Sequence, residues 1–119
     1  MTRVLVCGDR DWHDRTAIRK YLLTVESGST VIHGAQRGAD RIAGEVADKL
    51  GLAVEAYPAQ WTRFGRAAGP IRNKQMLVEG KPELVVFFHL NLAASHGTKN
   101  MVGQARRAGI RVLNGESVV

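Results

Sequence analysis

The run Leu84-Val85-Val86-Phe87-Phe88 constrains the fold more than any other feature of this sequence. Five consecutive apolar residues leave no polar side to turn toward water. Such a segment suits a strand covered on both faces, as in a parallel sheet between two layers of helices. Residues 4–7, 30–33, 53–57 and 110–113 read as four further strands. Between them, apolar residues recur at helical spacing. Asp14 caps a helix to about Ser27, with Ile18, Tyr21, Leu22 and Val25 inward. Residues 38–50 form a second, with Ala39, Ile42, Ala43, Val46, Ala47 and Leu50 on one side and Gly51 as its stop. Pro70 marks a helix start and Gly80 its end. Thr98 caps a last helix, with Met101, Val102, Ala105 and Ala108 inward. Residues 59–68 and 89–97 are irregular.

Strands separated by helices pair in parallel through right-handed crossovers. The expected fold is α/β: one Rossmann-like three-layer domain over residues 1–119, with a five-stranded parallel sheet. A length of 119 residues suits a single domain. Lys and Arg number 17 against 11 Asp and Glu, a net charge of +6. That excess favours anionic partners without choosing among nucleotides, phosphates, nucleic acid and acidic lipid. The lone Cys7 excludes an intramolecular disulfide and reads as a small buried hydrophobe. No apolar run approaches the roughly 18 residues of a membrane span. The first residues do not resemble a signal peptide. A cytoplasmic protein with no membrane partner is expected. His13, His33, His89 and His96 lack ligand spacing, so no metal is expected, and no other cofactor is indicated. No nucleophile elbow is present.

In sheets of this kind, ligands bind at the carboxyl ends of the strands, where strand order reverses. Residues 33–40, His33-Gly34-Ala35-Gln36-Arg37-Gly38-Ala39-Asp40, form one such strand-to-helix turn. Glycines let amides face an anion, the helix N-terminus adds about half a positive charge, and Arg37 can clamp a phosphate. The spacing is neither a dinucleotide fingerprint nor a P-loop. Glycines at such turns also serve geometry alone, so both readings stay open. Ser95-His96-Gly97-Thr98 offers a second helix N-terminus, with Lys99 behind it; a plain capping Thr is the alternative. Residues 61–74 hold Trp61, Phe64, Gly65, Gly69, Arg63, Arg66, Arg72 and Lys74. Aromatics beside arginines suit stacking on a base and pairing with phosphate; a solvated loop with Trp61 on the core is the alternative. Arg72 and Asn73 open a helix, where a cation is disfavoured unless a ligand anion or a carboxylate compensates. In Gly8-Asp9-Arg10-Asp11-Trp12, the acids suit ribose hydroxyls, the orienting of Arg10, or plain turn roles. Trp12 is a stacking surface or a lid on the first helix.

These motifs resemble a family. Gly8 through Trp12, His33-Gly34 with Arg37-Gly38-Ala39-Asp40, Pro58-Ala59 with Trp61, Gly65, Ala68-Gly69-Pro70-Ile71-Arg72-Asn73, Met76, and Gly97-Thr98 with Met101-Val102 and Ala105 are similar to the YspA-like branch of the SLOG superfamily. The likeness runs in order over nearly the whole chain, and the Ala-Gly-Pro-Ile-Arg-Asn block is its most specific piece. That superfamily is Rossmann-like and includes the lonely-guy phosphoribohydrolases and DprA. The resemblance implies two phosphate-cradling turns, at 34–40 and 97–98, with self-association and the sensing of a nucleotide-derived ligand. Arg72, four residues before Met76, is similar in placement to the arginine of the hydrolases. Their glutamate after Gly-Thr is absent, since Thr98 is followed by Lys99, Asn100 and Met101. Asp9, Asp11 or Asp40 would have to replace it. The first turn also departs, with Ala35 where a second glycine is usual.

The leading reading is a nucleotide-binding domain, its ligand held by Gly8, Arg10, Gly34, Arg37, Gly38, Asp40, Gly69, Arg72, Asn73, Gly97 and Thr98. Trp12 or Trp61 stacks on the base. On this reading Arg72→Ala weakens binding and spares the fold. A second reading is hydrolysis of a nucleotide N-glycosidic or phosphoester bond, with Arg72, Asp9, Asp11 and Asp40 as catalytic candidates. A third is DprA-like nucleic-acid binding, in which Arg106, Arg107 and Arg111 form a separate basic patch.

Overall fold

Period-two alternation within the buried strands decides which helices cover which face of the sheet. A computed structural model of the chain describes residues 2–117. Its strands are β1 (Arg3–Gly8), β2 (Thr30–His33), β3 (Ala53–Ala56), β4 (Leu84–Phe88) and β5 (Arg111–Asn114). All pairings are parallel, in the order β3-β2-β1-β4-β5. Val4, Val6, Val86 and Phe88 point to one face, under α1 (Arg15–Leu22) and α2 (Ala39–Lys49). Leu5, Cys7, Val85 and Phe87 point to the other, under α4 (Ala68–Gly80) and α5 (Gly97–Arg107). The sheet is therefore the middle of three layers, and the fold is Rossmann-like α/β. Strand order runs outward from β1 to β3, then resumes on the far side with β4 and β5. The reversal lies between β1 and β4, so the carboxyl ends of these two strands flank the expected crevice.

Several local expectations need correction. The first helix ends at Leu22 rather than near Ser27. Both the amide and the hydroxyl of Thr24 donate to the Tyr21 carbonyl, and the Val25 amide donates to Leu22, so the chain tightens out of the helix. The stretch 59–68 contains a short helix, α3 (Trp61–Phe64), and a 3-10 turn, Gly65–Ala67. Helix α4 starts at Ala68, two residues before Pro70; the missing proline N–H is harmless in a first turn. A second 3-10 turn, Leu92–Ala94, interrupts the loop before α5. Thr98 lies inside the first turn of α5, and the Ser95 hydroxyl caps it by accepting the Thr98 N–H at 3.0 Å.

Phe88 ends β4 and is fully buried. Trp12 and Tyr21 meet it edge-on at 5.7 and 6.3 Å between ring centroids. Truncation would open a cavity beneath the crevice. Phe88→Ala should lower the unfolding free energy by about 3–5 kcal/mol, read from urea denaturation. A loss below about 1 kcal/mol would mean that the ring is not a core anchor.

Candidate functional site

The turn 34–40 is organised around a buried carboxylate. Asp40, 5% exposed, accepts the N–H of Gly34 at 3.0 Å and that of Gln36 at 3.4 Å. The Ala35 N–H donates to His33 Nδ1 at 2.9 Å, and the Ala39 N–H to the Asp9 carbonyl at 3.1 Å. Four amides that the sequence offers to an external anion are thus used internally. Among the described residues, only the N–H groups of Arg37, Gly38 and Asp40 stay unpartnered in this turn. Gly38 is needed for the packing: at φ +83° it lies so close to the Asp9-Arg10 backbone that a Cβ would overlap it. The N-terminus of α5 contrasts with this. There the amides of Gly97 and Lys99 have no partner among the described residues.

Arg72 and Asn73, in the first turns of α4, connect the two ends. Arg72 Nη1 donates to the carbonyls of Gly34 and, at 3.4 Å, Tyr57. Its Nε donates to Asn73 Oδ1 at 3.0 Å. Asn73 Nδ2 in turn donates to the Gly97 carbonyl at 3.4 Å and to Asn100 Oδ1 at 3.1 Å. A continuous relay, Gly34–Arg72–Asn73–Gly97, fixes the spacing of the two turns. Gly34 sits between Arg72 and Asp40; a Cβ there would overlap the guanidinium and approach Asp40 Oδ2 within 2.9 Å. Burial pulls the Arg72 pKa down, and the charge of Asp40 opposes that pull. Burial also pushes Asp40 up to about 6, against the Arg72 charge and the two amides.

Two cavities open along the carboxyl edge. The larger, about 670 Å³, is lined by Arg10, Gly34, Arg37, Trp61 and Arg72, together with Ala35, Gln36, Arg41, Pro58 and Ala59. The smaller, about 250 Å³, lies at the strand-order reversal, against Gly8, Asp9, Arg10, Asp11, Gly97 and Thr98, with Gln36, His89 and residues 94–96. Arg10 and Gln36 border both, so the two form one cleft. Trp61 is 55% exposed and presents its ring to the larger part. Arg37 pairs with Asp11 at 3.1 Å on the open surface. Asp9 faces His89, Oδ2 to Nε2, at 3.8 Å in the crevice. The Thr98 hydroxyl makes no hydrogen bond among the described residues, although the residue is 94% buried by its 6% exposure.

Several sequence candidates line neither cavity. Trp12 is in the core against Phe88, with Nε1 donating to the Asp14 carbonyl at 3.0 Å, so its ring has no open face for stacking. Gly38, Asp40, Gly69 and Asn73 support the walls from behind; Gly69 lies against Trp61, whose ring edge is 3.4 Å from the place of a Cβ, a distance of ordinary contact. His33 is buried under the turn, where burial and then Arg72 hold its pKa below the ordinary imidazole value. Arg41, not among the sequence candidates, also lines the larger cavity; it lies in the first turn of α2, whereas Arg37 precedes the N-cap Gly38. A cation in the first turn of a helix, where the dipole disfavours it, was the available signal. Arg63 sits over the ring of Phe64 at 4.8 Å instead of in the cleft.

Arg72 thus has a structural duty that its sequence context does not reveal. Arg72→Ala should cost about 3–5 kcal/mol of stability, because it strands Asp40 and two carbonyls. An unchanged urea midpoint would show that the relay carries no weight. For Asp40 the sign follows from its raised pKa. The folded state holds the proton more tightly than the unfolded chain, so the stabilisation is full below about pH 4 and is lost as pH rises through about 6. Asp40→Asn should remove that slope. The stability difference, variant minus wild type, should rise between pH 4 and 7; parallel curves would exclude titration of Asp40 in this window.

Residues 2–64 match YAcAr, the YspA, cpYpsA-related SLOG family. Over 123 residues the chain is 36% identical to the Gene 61 protein of Mycobacterium phage D29, covering 96% of each. Its fold is similar to that of DNA processing protein A (DprA) from Streptococcus pneumoniae, with a TM-score of 0.59 at 15% identity. That overlay takes in 98% of this chain but 60% of the DprA chain, and the likeness is one of fold. The order of strands, the two turns at the carboxyl edge and the sequence match agree: the chain belongs to the YspA, cpYpsA-related SLOG family.

Proposed function

We propose that the protein binds, and thereby senses, a nucleotide or nucleotide-derived ligand in the cleft at the carboxyl edge of its sheet. The observation that carries this reading is the make-up of the larger cavity. Arg10, Arg37, Arg41 and Arg72 line it beside a half-exposed Trp61. Guanidinium groups suit phosphate oxygens, and an indole face suits a flat heterocycle. Two of the three guanidinium nitrogens of Arg72 are used internally; Nη2 has no partner among the described residues and is the one left for a ligand. Phosphate recognition on this side therefore rests on side chains. At the other end of the cleft, the free amides of Gly97 and Lys99 and the Thr98 hydroxyl supply donors from the N-terminus of α5.

A thermal-shift panel of nucleoside mono-, di- and triphosphates and dinucleotides tests the reading. A ligand at 100 times its dissociation constant adds about 2.7 kcal/mol of stability. No shift with any member of the panel would end the proposal. Release of free base in the same mixtures would replace sensing by hydrolysis, with Asp9 beside His89 as the first acid to substitute. Trp61→Ala should weaken the best ligand by about 1–3 kcal/mol, five- to 150-fold, and leave the unfolding midpoint in place because the ring is half exposed. Unchanged affinity in this variant would remove the stacking role.

A further inference from the structure

A groove of about 760 Å³ between α5 and the Leu92–Ala94 turn adjoins the narrow end of the cleft and shares residues 94–96 with it, but the side chains of Leu92, Ala93, Lys99, Val102, Arg106 and Arg107 have no part in the cleft reading above. Its floor is apolar, formed by Leu92, Ala93, Ala94 and Val102. Its rim carries Lys99, Arg106 and Arg107, and no acidic residue lines it. Positions 99, 103, 106 and 107 share one face of α5, with Gly103 leaving the middle of that face low. None of the three cations has an ion-pair partner among the described residues. The helix dipole accounts for Arg106 and Arg107 in the last turn; it disfavours Lys99 in the first.

We propose that this groove docks an acidic amphipathic helix of a partner protein, with apolar side chains on Leu92–Ala94 and carboxylates on Lys99, Arg106 and Arg107. Unpaired cations of one sign select an acidic occupant. The apolar floor selects one that also carries an apolar stripe, the pattern of a helix laid in a groove. A phosphodiester strand would leave that floor uncovered, and no Trp, Tyr or Phe lines the groove to stack successive bases, His96 being its one ring among the described residues. A second copy of this chain would bring a net charge of +6 against the same cations. The face from Lys99 to Arg107 is about 12 Å long, so about two to three turns of partner helix cover it.

Titration of the isotope-labelled chain with a capped helical peptide, of about 14 residues, tests the proposal by amide shifts. The peptide carries Leu at helical i, i+3 and i+4 spacing and Glu elsewhere. The shifts should be confined to residues 92–107. The double variant Arg106→Gln, Arg107→Gln should weaken binding about tenfold or more while the domain stays folded with only a small drop in unfolding midpoint, since both side chains are exposed and lose only their contact with the helix dipole. Trp61→Ala, in the cleft, should leave peptide binding unaltered even if the nucleotide reading fails. Three results would overturn the proposal: no shifts in this segment, equal binding of a peptide with every Leu replaced by Ser, or an oligothymidylate that shifts the same amides at lower concentration.

Discussion

The cleft depends on one buried guanidinium. Arg72 is 8% exposed, yet it reaches the ends of both β2 and β3 by donating to the carbonyls of Gly34 and Tyr57. A guanidinium is planar and its donors point in fixed directions, so bonds in several directions set an angle as well as a distance. Through Asn73 the same group reaches Gly97 at the far end of the cleft. Burial of a cation costs several kcal/mol unless charge and acceptors compensate. Here Asp40 supplies the charge and backbone carbonyls supply the acceptors. The arrangement leaves no space beside Gly34, which explains a glycine at that position independently of any ligand.

Asp40 changes what the first turn can do. A helix N-terminus preceded by glycines is a ready anion site when its amides are free. In this turn the anion is already part of the chain. The carboxylate occupies the amides of Gly34 and Gln36, and the Asp9 carbonyl occupies that of Ala39. The cleft is therefore asymmetric. Its wide end presents arginine side chains, and its narrow end presents backbone amides and a hydroxyl. Side-chain charges on the open surface are screened by salt, whereas donors in the crevice are screened less. The two ends differ in how firmly they hold charge as well as in shape.

The fold was legible because its signals are additive along the chain. The continuous apolar run of β4 demanded cover on both faces, and alternating helices supplied it; the likeness to a known family pointed the same way. Helix ends were less legible. Thr24 and Ser95 act through single hydrogen bonds that a sequence does not announce. The cleft was legible as a location, because strand ends define it, and partly in the residues that line it. Trp12 and Trp61 show the limit. Both follow strands and both sit near arginines in the sequence. One meets Phe88 and becomes core; the other lies with its ring edge near Gly69 and stays half exposed. The difference lies in partners 76 and 8 residues away, beyond what local composition encodes.

Ala35 shows where that limit meets function. Its φ of +59° is left-handed, which costs a residue with a Cβ roughly 1–2 kcal/mol. Such strain persists only where the surroundings determine it. Here they act on both sides of the residue. Its N–H is held by His33 Nδ1 and its carbonyl by Arg41 Nε at 3.2 Å. Arg41 also lines the larger cavity. An anion that draws this guanidinium toward itself competes with the Ala35 carbonyl for the same donor. The conformation of the turn and the charge in the cavity are thus linked through one exposed side chain.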